Sequence, residues 1–287
     1  VGSPIAMAAA LTHTLAHALF KSSLFMLIGV VDHEAGTRDM RRLGPLYDKM
    51  PYTFVSTVVA ACSMAAVPPL FGFVSKESIL DAFHEAPHGM VLLLIAGCAA
   101  FLTFVYSAKI VFGAFIDGPK DMTGVHEAPA ALWVPAALPG WMSAVLPFLL
   151  FWVDSPISAG VRAITGDETF EVHLGLWHGF TAPFLVSVIV LAGGIFFTVY
   201  HRKPVYERFR NKALLPADGT EVLSWTTRKL SRMGESFGAL ADGFNPSRHL
   251  FPLLASVTAM GLAALLLTDG VDGVALAPRA DGLDVWW

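Results

Sequence analysis

The sequence predicts an all-α, polytopic bundle of transmembrane helices, and three observations carry that prediction. Of its 287 residues 55% are hydrophobic and only 15% are charged, against about 25% charged in an average soluble domain. Apolar runs of the roughly 20 residues needed to cross a bilayer recur along the chain, bounded by Gly, Pro or charge. Basic residues are concentrated in alternate connections, the asymmetry that orients membrane proteins. A net charge of −4 with 19 Lys and Arg leaves no footprint for nucleic acid. Cys62 and Cys98 lie inside apolar runs, apart from any CxxC or Cys/His spacing, so they read as packing residues and no disulfide, metal or cofactor is expected.

Six spans follow in order: Ile5–Val31, Pro51–Phe83, Met90–Ile116, Leu132–Val153, Leu176–Tyr200 and Leu250–Thr268. The second is too long for one straight helix, since more than 30 residues would exceed about 45 Å against a hydrocarbon core of roughly 30 Å. Pro68-Pro69 resolves this, because two prolines remove two backbone donors and clash with the preceding turn, so the span breaks there. Between the fifth and sixth spans, Leu223, Thr226, Leu230, Met233, Phe237, Leu240 and Phe244 recur at steps of three and four, an amphipathic helix closed by Asn245-Pro246. That helix suits the surface of a bundle or the headgroups, or equally the flank of another subunit. The stretch from Asp269 to Trp287 reads as an exposed loop or an interfacial anchor.

Loop one (Arg38, Arg41, Arg42, Lys49), loop three (Lys120) and the fifth connection hold most of the basic residues, whereas Arg162 and Arg279 alone fall on the opposite side. The first, third and fifth connections are therefore expected on the cytoplasmic face. The chain opens at Val1, without Met or a signal peptide, and reads as starting within a longer protein.

Three lysines, Lys21, Lys76 and Lys109, fall inside spans. In the first span His13, His17 and Lys21 stand at i, i+4 and i+8 on one helix face, with steps of about 6 Å that one or two waters bridge. An ionisable group at mid-membrane costs about 2.5–3.5 kcal/mol and commonly marks a wet cavity or an ion path. Histidine titrates near neutrality and a desolvated lysine gives up its proton more readily, so the set suits proton relay. The plainer reading is that the histidines bond to neighbouring helices and Lys21 pairs with a distant carboxylate. Lys76 lies beyond the break, where transporters place ion sites, or it snorkels or pairs with Glu77 or Asp81. Ser75, Glu77, Lys109 and His178 are secondary candidates. Lys109 suits a snorkelling role as well, and His178 beside Trp177 suits an interfacial one. The loop His33–Asp39 reads as a polar cap that fixes the first span.

The runs His13–Lys21, Asp32–Asp39, Met50-Pro51 and Ser63–Glu77 resemble the antiporter-like subunits shared by respiratory complex I and Mrp-type cation/proton antiporters, over about residues 1–116. The Gly36–Asp39 loop, Leu176–Gly179 and the long tail are most similar to the C-terminal portion of the Mrp large A subunit. The resemblance implies the second half of an inverted-repeat fold with a broken helix. It divides the chain into an incomplete antiporter-like core (1–117), further transmembrane helices (118–200), an amphipathic lateral helix (201–248) and an anchoring helix with a tail (249–287). His13, His17 and Lys21 are similar to the family's central hydrophilic axis, and Lys76 to its broken-helix lysine. Ala66 departs from the glycine usual before the Pro-Pro pair, and the first repeat is not in this sequence, so this chain alone is not expected to transport. The implied function is that of a secondary transporter subunit, not an enzyme. It would exchange Na⁺ or another monovalent cation for H⁺, with further membrane subunits as partners, in a bacterial plasma membrane. A redox-driven pump subunit of complex I or a membrane-bound hydrogenase, and a purely structural membrane scaffold, are the alternatives.

Overall fold

The first apolar run folds as α1 (Pro4–Ala35), in a computed structural model that describes residues 3–117, 122–177, 179–209, 219–241 and 246–267. Ser3 caps its start by accepting from the Ala6 N–H at 3.2 Å, with Pro4 in the first turn. Gly36 ends it at φ +66°, donating to the Asp32 carbonyl, as left-handed C-caps do. At 32 residues the helix rises about 48 Å, so its charged last turn has room to reach the headgroups.

The second span breaks as expected, into α2 (Pro51–Met64) and α3 (Phe71–His84). Each half has 14 residues, about 21 Å, and only together do they approach bilayer thickness. The break turns at Ala66, φ +59°. The orphaned groups find local partners: Ala66 N–H donates to the Ser63 carbonyl, Val67 N–H to the Cys62 carbonyl and Gly72 N–H to Ser63 Oγ at 3.2 Å. Ser63 Oγ is in turn bonded to Ser143 Oγ. The α2 N-terminus is capped from far along the chain, where Glu127 accepts from the Tyr52 and Thr53 N–H groups at 2.7 and 3.2 Å and from Thr53 Oγ1 at 2.6 Å.

α4 (Gly89–Phe115) follows the third predicted span closely. The fourth does not continue to Val153. It runs as α5 (Ala130–Val145), passes through a 3₁₀ turn at Leu146–Phe148 and restarts as α6 (Leu150–Thr165). Pro147 lacks the N–H that would continue the ladder, and hydropathy alone cannot register that interruption. On α6, Asp154, Ser158 and Arg162 recur every fourth residue and hold an extended segment. They bond to the Leu174 N–H at 3.0 Å, the Val172 N–H at 2.9 Å and the Phe170 carbonyl at 3.1 Å. That segment is why the fifth span starts later than expected, as α7 (Ala182–Tyr200), with Thr181 Oγ1 accepting from the Phe184 N–H.

α1 is central and packs on α2, α3, α5 and α6, while α4 packs on α2, α3 and α7. Small residues let the backbones approach: Gly140 faces Ser23, Gly97 faces Val186 and Gly194 faces Phe104. Ser23 Oγ also donates across to the Ala136 carbonyl at 2.8 Å. One apolar cluster joins Ala16, Phe20, Met64 and Phe71, and a second joins Leu27, Val30, Leu46 and Phe115. At the end of α1, Glu34 receives His33 at 3.0 Å and His126 at 3.5 Å. After α7, α8 (Arg202–Phe209) begins with Arg202 paired to Asp117 at 2.9 Å and stacked over Phe112 at 4.1 Å.

Among the described residues, four helical segments are long and apolar enough to cross a membrane: Pro4–Ala35, Gly89–Phe115, Ala130–Phe148 and Ala182–Tyr200. The chain divides into two units at Arg208–Phe209. The second unit holds α9 (Gly219–Ala241) and α10 (Pro246–Leu267), which contact each other. The amphipathic helix expected from Leu223 thus begins a turn earlier. Its expected end at Phe244, Lys120 and the tail from Asp269 lie outside the described residues.

Candidate functional site

An open cavity of about 370 Å³ lies between α1, α3 and α4, and Met64 at the end of α2 also lines it. His13, His17 and Lys21 from α1 and Lys76 from α3 all line it. The helix period puts the first three on one face, and the α2–α3 break turns α3 so that Lys76 meets them. The His13 and His17 rings stand 6.1 Å apart, tilted at 50°, with Phe20 edge-on to His17 at 5.5 Å.

His13 Nδ1 is 3.3 Å from Ser75 Oγ, and that buried hydroxyl donates to the Gly72 carbonyl at 3.1 Å. With its one proton committed to Gly72, the hydroxyl accepts from His13 Nδ1–H, which leaves Nε2 as the acceptor of the neutral ring. Lys21 Nζ sits 5.5 Å from the centre of the Tyr106 ring on α4, within cation–π range. Lys76 Nζ is buried and makes no hydrogen bond among the described residues.

The four principal candidates and Ser75 therefore converge. Glu77 is buried on α3 at 5% exposure but is directed elsewhere, accepting from Ser187 Oγ on α7 at 2.7 Å. Lys109 is exposed on α4 and does not line the cavity, so its place in the span does not make it part of this site. His178 lies outside the described residues. Thr103 and Tyr106 line the cavity and were not singled out by sequence. Their signal was a polar pair at i, i+3, close to Ser107 and Lys109 in a span whose remaining residues are almost all apolar. Among the described residues, no group of three His, Cys, Asp or Glu side chains is placed to hold a metal ion.

Residues 1–103 match the family model described as NADH:quinone oxidoreductase/Mrp antiporter, TM. The A subunit of the Na⁺/H⁺ antiporter of Bacillus subtilis is 35% identical over 234 residues, covering 74% of this chain and 29% of the relative. A probable K⁺/H⁺ antiporter A/B subunit of Rhizobium meliloti is 36% identical over 211 residues, covering 68% of this chain and 20% of the relative. The structure of the Mrp complex from Dietzia sp. DQ12-45-1b contains a chain 38% identical with a TM-score of 0.69, covering 93% of this chain and 29% of that one. The membrane-bound sulfane sulfur reductase, an archaeal respiratory membrane complex, shares the fold at 20% identity and a TM-score of 0.51.

The matches agree with the bundle of apolar helices and its broken second span, and the chain belongs to the antiporter-like family of membrane subunits that NADH:quinone oxidoreductase and Mrp antiporters share. Within that family the similarity is to one region of the A subunit of Mrp-type antiporters. The chain spans less than a third of the length of these relatives.

Proposed function

We propose that the chain is part of a multisubunit secondary transporter that exchanges Na⁺ or another monovalent cation for H⁺ across a bacterial plasma membrane, and that His13, His17, Lys21 and Lys76 relay its protons. One observation carries the reading: four ionisable side chains from two helices line a single open cavity between α1, α3 and α4. The relatives, named as Na⁺/H⁺ and K⁺/H⁺ antiporter subunits, support cation exchange over redox-driven pumping. A cavity of about 370 Å³ has room for several waters, each needing about 30 Å³ of liquid volume. Such waters would complete steps too long for direct bonds.

Spacing also makes the relay sequential. Two like charges about 6 Å apart repel by about 3 kcal/mol at an effective dielectric of 20, so neighbouring sites are doubly protonated about a hundredfold less readily than singly. A proton entering one site thereby expels the next. Lys76, beyond the break, stands at one end of this sequence.

His17→Ala tests the reading against a scaffold role. Exchange per assembled complex in everted vesicles falls at least about tenfold, as expected for loss of a proton-transfer group, while the amount of complex is unchanged. Reduced assembly with normal exchange per complex would favour the scaffold.

A further inference from the structure

Glu77 follows Lys76 on α3, and adjacent helical residues point about 100° apart. Lys76 faces the cavity with α1 and α4, whereas Glu77 reaches α7, where Ser187 Oγ donates to its Oε2 at 2.7 Å. Both partners are buried, Glu77 at 5% and Ser187 at 9% exposure. A buried carboxylate among apolar helices is expensive and marks function more often than packing. α3 thus carries two ionisable groups on two faces, one open to the relay cavity and one at the α3–α7 interface.

We propose that Glu77 is the proton acceptor that follows Lys76, passing the relay through α3 to a second protonatable site, the Glu77–Ser187 pair. In the step an N–H bond of the Lys76 ammonium breaks and an O–H bond forms on the Glu77 carboxylate, directly or through one water. The ammonium and carboxylate become an amine and a carboxylic acid, so no net charge is created in the low-dielectric interior. Two neutral groups are cheaper to bury than two ions, which offsets the cost of taking the proton from the stronger base. Ser187 holds the carboxylate in place before the proton arrives. The acid then releases its proton along the α3–α7 interface, away from the histidines, which separates exit from entry.

The inference rests on the histidine–lysine reading, and Glu77→Gln tests it because the amide keeps the size of the side chain and an oxygen to accept from Ser187 but cannot carry the proton. In everted vesicles containing the whole complex, exchange per assembled complex falls at least about tenfold in Glu77→Gln, while Glu77→Asp retains roughly a third or more of it. Wild-type exchange in Glu77→Gln overturns the proposal. So does equal loss in Gln and Asp variants that follows the amount of complex, since that is a packing effect. Lys76→Ala in the same vesicles separates the two readings. If it loses exchange while Glu77→Gln does not, only the acceptor role fails; if it exchanges normally, both fail.

Discussion

The α2–α3 break permits one substitution whose effect follows from a single close approach. A Cβ on Gly72 would stand 2.6 Å from the Ser63 carbonyl carbon and 2.9 Å from Ser63 Oγ. Both the carbonyl and Gly72 belong to backbone, so Gly72→Ala forces the start of α3 away from the end of α2 by about 1 Å, at an overpacking cost of about 1–3 kcal/mol. That retreat also stretches the Gly72 N–H bond to Ser63 Oγ, now 3.2 Å, whose loss costs about 1 kcal/mol more. Because Ser75 and Lys76 follow Gly72 closely, the same shift misplaces the side chains of the proposed relay. A misplacement of about 1 Å can cost on the order of a hundredfold in a step that depends on alignment. Thermal denaturation of the purified complex, followed by size exclusion, reads the first effect, and exchange per complex in everted vesicles reads the second. Gly97→Ala is the control, since its Cβ meets only the end of the Val186 side chain at 2.8 Å. Parental stability and parental exchange in Gly72→Ala would refute the close approach and the geometry built on it.

Ala66 occupies the left-handed region at φ +59°, which costs a non-glycine residue about 1–2 kcal/mol. Against the roughly 0.4–1 kcal/mol of unfolded-chain entropy that glycine adds, Ala66→Gly should raise the thermal midpoint of the complex modestly, and a fall would contradict the assignment of strain there. Asp39, in the loop after α1, is held below its usual 3.8 chiefly by the hydrogen bond from the Arg41 side chain. Its folded-state value is the depressed one, so its contribution is complete above about pH 4 and is lost as pH falls through that lower value. Hydrogen-exchange protection of the Arg41 amide, which donates to Asp39 Oδ1 at 3.0 Å, should follow the same course and be insensitive to acid in Asp39→Asn; protection unchanged down to about pH 2 in the parent would exclude the link.

Features set by local chemistry were legible in the sequence. Pro68-Pro69 announces the break because a missing N–H acts within one turn, and His13, His17 and Lys21 announce a shared face because the helical period is fixed. Their meeting with Lys76 needed the path of the chain between α2 and α3, through Ala66 and Pro68-Pro69. Tyr106 beside Lys21 and Glu127 at the start of α2 come from other helices or connections, and no periodicity encodes such contacts. The fourth span failed for a different reason. Hydropathy averages over the 3₁₀ turn at Leu146–Phe148, and proline alone does not mark it, since Pro135, Pro139 and Pro156 sit inside helices that continue. Lys109 illustrates the converse, since an intramembrane lysine signals cost but does not say which face of its helix meets the cavity.

Whether the α1 line of ionisable residues moves the protons decides between a relay and a scaffold. Dissipation of an imposed pH gradient on adding Na⁺ or K⁺ to everted vesicles, compared between the parent and Lys21→Ala at equal amounts of assembled complex, tests this most directly. A working relay requires that Lys21→Ala abolish cation-dependent dissipation; dissipation at the parental rate would contradict it.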